Sequence, residues 1–159
     1  MKNPNVIIKR TTLLLIPLVI GCFALSPIAH AVSPPPDGGY PGGNTAEGNN
    51  ALFSLADGLG NTAIGFLALY SNTAGNNNTA TGSDALQSNT TGSNNTGSGV
   101  DALYSNTTGA SNTAIGVTAL YSNTTGDNNM ASGAFALAAN TIGHDNMATG
   151  AFALYRNTT

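Results

Sequence analysis

Few residues of this chain could do chemistry. Asp84 and Asp101 stand seventeen positions apart, His144 follows Gly143, and Cys22 is the single cysteine. Stacked in register, the two carboxylates would repel each other, and a shared cation would relieve the repulsion. The preferred reading points both into water, so Asp84 and Asp101 are the only metal candidates and no metal or cofactor is expected. His144 has no cysteine partner and belongs to no assembled Ser/His/Asp set. It reads as a surface residue in a turn. Thr73, Thr90, Thr107, Thr124 and Thr141 recur at the same seventeen-residue interval. Regular threonine arrays are an ice-binding device, but these sit in corner segments rather than on a flat strand face. Asn89-Thr90-Thr91 and Asn106-Thr107-Thr108 match the glycan-acceptor pattern and read better as turn ladders.

What positions these residues is a repeat. Copies start at Asn44, Asn61, Asn78, Asn95, Asn112, Asn129 and Asn146, and the unit is N-T-A-x-G-x-x-A-L-Y-S-N-T-T-G-x-N. Six copies run to 17 residues and the seventh to 14. The fifth position is always Gly (Gly65, Gly82, Gly99 and Gly116 among them) and the ninth always Leu (Leu69, Leu86, Leu103 and Leu120 among them). The third is Ala in every copy but that of Gly97, and the eighth is always Ala. A repeated catalytic centre is not what such a pattern makes, because catalysis needs a unique cluster. No catalytic residue is expected.

A helical solenoid does not fit. A unit with two glycines and several Asn-Thr pairs cannot hold a helix hairpin. A leucine-rich repeat needs several leucines per unit, and the calcium-binding nonapeptide repeat needs a regular Asp. The expected fold is therefore all-β, a parallel β-solenoid of about seven coils over 44–159, rising roughly 4.8 Å per coil. N-T-A-x-G and A-L-Y-S are each expected to form a short strand. The two glycine columns mark places where the chain bends with positive φ or passes another backbone without room for a Cβ. Asn61, Asn78, Asn95 and Asn112 belong to a column able to hydrogen-bond up and down the stack. Leu69, Leu86, Leu103 and Leu120 fill the core, and the fourth column, with Ile64 and Ile115, faces outward. The aromatic column (Phe53, Tyr70, Tyr104, Tyr121, Tyr155) offers a seam to another subunit.

The segment before the repeat reads as an export signal over 1–31. Lys2, Lys9 and Arg10 precede an apolar run from Thr11 to Leu25, and Ala29-His30-Ala31 is a cleavage site that separates Ala31 from Val32. The apolar run is shorter than the about 20 residues a membrane span needs, so no membrane span is expected after cleavage. Val19-Ile20-Gly21-Cys22 offers lipidation of Cys22 as the alternative. Residues 32–43, VSPPPDGGYPGG, form a Pro/Gly-rich linker. Removing the leader takes three of the four cations and none of the seven acids, leaving 1 − 7 = −6. No basic patch remains for nucleic acid, and none for anionic lipid.

N-T-A-I-G at 61–65 and 112–116 resembles the head repeat of YadA-type trimeric autotransporter adhesins, and the resemblance covers 44–159. It implies a left-handed parallel β-roll, three chains side by side, a bacterial source and an extracellular or cell-surface location. The expected function is a non-enzymatic structural or adhesive protein with a host or matrix surface ligand. A phage-fibre-like or carbohydrate-binding module is the alternative, and ice binding the third reading.

Overall fold

The computed structural model describes residues 41–159. The signal segment 1–31 with Ala31 and Val32, the lipidation alternative Cys22, and the linker up to Tyr40 lie outside the described residues. Pro41–Gly43 form a turn that leads into the repeat.

Each copy of the repeat contributes one strand of three residues: β1 (Thr45–Glu47), β2 (Thr62–Ile64), β3 (Thr79–Thr81), β4 (Thr96–Ser98), β5 (Thr113–Ile115), β6 (Met130–Ser132) and β7 (Met147–Thr149). They form one parallel sheet in sequence order. Every pairing advances by one repeat, as in Ala63 opposite Ala80 and Ile64 opposite Thr81. The chain is a β-solenoid, and the described residues contain no helix. Within each strand the middle residue points inward. Ala63, Ala80 and Ala114 are fully buried, while Ile64 and Ile115 are exposed. This is the period-two alternation of a sheet with one wet face.

The second expected strand is absent. A-L-Y-S runs as consecutive turns. In the second coil Ala68 N donates to Gly65 O at 3.4 Å, Tyr70 N to Leu67 O at 3.2 Å and Asn72 N to Leu69 O at 3.1 Å. The amides between them reach neighbouring coils: Leu67 N bonds Asn49 O, Leu69 N bonds Ala85 O, and Ser71 N bonds Gln87 O, each at 3.0 Å. Alternate amides thus close local turns while the others stitch coils together, and these backbone donors are paired. The geometry needs left-handed residues at alternate positions. The seventh column has φ from 54° to 61°, and the leucine column from 48° to 55°. A non-glycine residue there is strained by about 1–2 kcal/mol. For the buried leucines Leu52 to Leu137, complete burial contributes about 1.5–3 kcal/mol each, enough to offset that strain.

The two glycine columns share one constraint and differ in another. Gly99 has φ +141°, and a Cβ on it would lie 2.5 Å from the carbonyl oxygen of Gly116 in the next coil. Gly109 has an ordinary φ, yet a Cβ there would lie 2.5 Å from the Gly126 carbonyl oxygen. Both columns are close backbone crossings, and only the first also needs a positive-φ bend.

The core is partly polar. Beside the buried Ala and Leu columns run two asparagine ladders, at the first and twelfth positions, with Asn61, Asn72, Asn78, Asn89, Asn95, Asn106 and Asn112 all at 0% exposure. In the first ladder Asn78 Nδ2 donates to Asn61 Oδ1 at 3.1 Å, and Asn95 Nδ2 to Asn78 Oδ1 at 3.2 Å. The Asn112 amide continues it to Asn95 Oδ1 at 3.2 Å. In the second, Asn106 Nδ2 donates to Asn89 Oδ1 at 2.8 Å. The ladders meet at the corner carbonyl of Gly109, which accepts Asn95 Nδ2 at 2.8 Å and Asn106 Nδ2 at 2.9 Å. Buried amides are stabilising only when their hydrogen bonds are made, and the stack makes them.

Candidate functional site

Asp84 and Asp101 occupy the seventh column, on the turn chain. Asp84 accepts Ser83 Oγ at 2.7 Å and Gln87 Nε2 at 3.0 Å. Partial burial, and secondarily the Asp84 charge, raise the Asp101 carboxyl above its ordinary value. Among the described residues no three His, Cys, Asp or Glu side chains gather where they could hold a metal ion together. His144 is exposed. Its Nδ1 accepts the Asp127 amide at 3.2 Å and lies 3.9 Å from Asp127 Oδ2. The Asp127 carboxylate in turn accepts the Ala110 amide at 2.7 Å. These polar residues bridge one coil to the next.

The corner threonines are spent the same way. Thr90 Oγ1 donates to Thr107 O at 3.0 Å, Thr107 Oγ1 to Thr124 O at 3.0 Å, and Thr124 Oγ1 to Thr141 O at 3.0 Å. Each of these hydroxyls uses its proton within the stack. The sequons at Asn89 and Asn106 are equally occupied, since both side chains are fully buried ladder rungs.

Two surfaces stand apart from this self-satisfied framework. The outer strand face carries exposed Ile64, Ile115, Met130 and Met147, and just past the strands lie exposed Phe66, Val100 and Val117. The second surface is the aromatic column. Phe53 stacks on Tyr70 with centroids 5.3 Å apart, and Tyr104 stacks on Tyr121 at 5.1 Å. The column is broken at Gln87, whose amide is tied to Asp84, and again at Ala138. Seventh-column residues join the surface there: Phe135 stacks on Phe152 at 5.0 Å, and Tyr155 meets both edge-on. Sequence reasoning missed Phe135 and Phe152 because their column holds Asn, Leu, Asp and Thr in other coils. Their placement beside Tyr155 follows from the turn chain.

The break at Ala138 leaves a notch of about 160 Å³, lined by Thr118, Tyr121, Ser122, Phe135, Ala138 and Tyr155. A larger hollow of about 380 Å³ lies at the first coil, between Pro41, Phe53, Leu55 and Leu59. Among the described residues no helix is long and apolar enough to cross a membrane. No family model, no curated protein and no solved structure matches the chain.

Proposed function

We propose that this chain is an exported, non-enzymatic structural or adhesive surface protein that works as a side-by-side homo-oligomer, a trimer by its resemblance to adhesin head repeats. The observation that carries this reading is the outer strand face, a flat sheet surface set with exposed Ile64, Ile115, Met130 and Met147. Thr81 and Ser98 separate Ile64 from the group formed by Ile115, Met130 and Met147, so the apolar surface falls in two parts. Exposed apolar patches of this kind mark interaction sites. The strand face is a better seam than the aromatic column, because the rings of that column already stack on one another. A framework whose polar groups bond to their own neighbouring coils supports a scaffold role rather than catalysis. The second reading, a carbohydrate-binding module, is favoured by the aromatic notch at Ala138.

Sedimentation equilibrium of the exported, purified protein tests the assembly. Three times the chain mass is expected, falling to one with Ile64→Asp and Ile115→Asp combined. A wild-type monomer at tens of micromolar refutes it.

A further inference from the structure

We infer that the notch at Ala138 is a binding site for one neutral pyranose ring of a glycan. The inference deepens the adhesive reading by naming a ligand class, and rests on that reading for its biological setting.

The notch is a missing rung. Where the tenth column is continuous, ring follows ring at 5.1 Å, as in Tyr104 and Tyr121. The next rung is Ala138, whose side chain stops at Cβ, and the ring after it belongs to Tyr155. Two coils span roughly 10 Å, but Ala138 at the floor is only 6% exposed, so a ligand ring would lie over the notch against Tyr121 rather than take the place of the missing rung. Tyr155 closes the far side, held edge-on against Phe135 at 6.4 Å and Phe152 at 5.8 Å. The volume of about 160 Å³ is that of a single small ring rather than an extended ligand.

The lining selects the ring's chemistry. None of the lining residues is charged, so an anion or cation would lose its hydration without a partner. The aromatic face of Tyr121 suits the apolar C–H face of a pyranose, whose hydrogens carry partial positive charge toward the ring quadrupole. The lining also holds the hydroxyl-bearing residues Thr118 and Ser122 and the phenols of Tyr121 and Tyr155. Each can donate and accept, as a sugar's equatorial hydroxyls require. Apolar walls with a few convergent polar groups are the usual make-up of a small-ligand site. The other break in the column differs, because the Gln87 side chain stands there and is bonded to Asp84. Among the described residues the tenth column therefore offers this notch once. With one ring engaged, the dissociation constant should be on the order of 1 mM.

The test is an NMR titration of the full exported protein, labelled with ¹⁵N, against three neutral probes: cellotetraose, maltotetraose and mannotetraose. At least one should produce saturable shifts centred on Tyr121, Ser122, Ala138 and Tyr155. Ala138→Tyr refills the rung with the residue found at that position in neighbouring coils, so it should keep the circular dichroism spectrum and weaken binding at least tenfold. Tyr70→Ala, remote from the notch, should leave binding unchanged. The inference is overturned if no probe moves these signals, or if the A138Y chain binds as tightly as wild type. It is also overturned if A138Y lowers the mass in sedimentation, which would assign the notch to a second copy of the chain. Adhesion to a glycan-coated surface that survives A138Y removes the notch from the account but leaves the surface role standing. A monomer that titrates sugar does the reverse.

Discussion

Replacing Asn106 by alanine should cost far more than the loss of one surface amide. Asn106 lies in the middle of the second ladder at 0% exposure. Its Nδ2 donates to Asn89 Oδ1 at 2.8 Å and Gly109 O at 2.9 Å, and its Oδ1 accepts Asn123 Nδ2 at 2.9 Å. Alanine removes all three bonds, but the damage is uneven. Gly109 O keeps Asn95 Nδ2, and Asn123 Nδ2 keeps Gly126 O. Asn89 Oδ1 loses its donor and stays buried. A fully orphaned buried group costs about 1–3 kcal/mol, and the half-orphaned Asn123 amide adds about 1. The cavity left by the carboxamide adds about 1 more, so the loss should be about 3–5 kcal/mol. Asn157→Ala is the internal control. That rung is only partly buried, and its bond to Asn140 Oδ1 is 3.3 Å long, so water can replace it at a cost of about 1 kcal/mol or less. Guanidinium unfolding followed by far-ultraviolet circular dichroism measures both. A loss below about 1 kcal/mol for N106A, or equal losses for the two variants, would refute the claim that the ladder is an interdependent polar core.

Two of the three glycines in the fourth coil should respond oppositely. Gly99→Ala forces a Cβ against the Gly116 carbonyl at a φ of +141° and should cost 3 kcal/mol or more, roughly the sum of strain and overpacking. Gly97→Ala puts a Cβ 3.2 Å from Ala102 O in a column that elsewhere holds Ala. It should raise stability by about 0.5 kcal/mol through the unfolded chain, read as a higher midpoint in the same unfolding assay. Asp101 supplies a pH test. Its carboxyl is raised by burial and by Asp84, so the folded state binds its proton more tightly than the unfolded chain does. The stability linked to that proton is present below the unfolded pKa and is lost as pH rises through the folded one. Asp101→Asn should therefore melt higher than wild type at pH 7, with the gap closing in acid. A gap independent of pH would contradict the assignment.

Part of this fold is legible because periodicity is a translational property that the chain displays directly. A seventeen-residue register, with Leu69, Leu86 and Leu103 in one column and Ala63, Ala80 and Ala114 in another, allows little besides coils stacked one repeat apart. The outward turn of Ile64 and Ile115 follows from strand alternation alone. The candidate site was less legible. Ala138 looks like an unremarkable variant of its column until Tyr121, Phe135 and Tyr155 are seen around it.

The sequence by itself determined the coil length, the parallel register and the small-residue core. Tertiary structure decided what each coil does between its strands. A-L-Y-S has the composition of a strand, yet alternate amides must reach the adjacent coil while the rest close turns, and that places leucine in the left-handed region. The same contacts one repeat away decide that the corner threonine hydroxyls bond backbone and that Asn89 and Asn106 are core rather than glycan acceptors. Local propensity cannot anticipate these choices, because the deciding hydrogen-bond partner lies in the neighbouring coil.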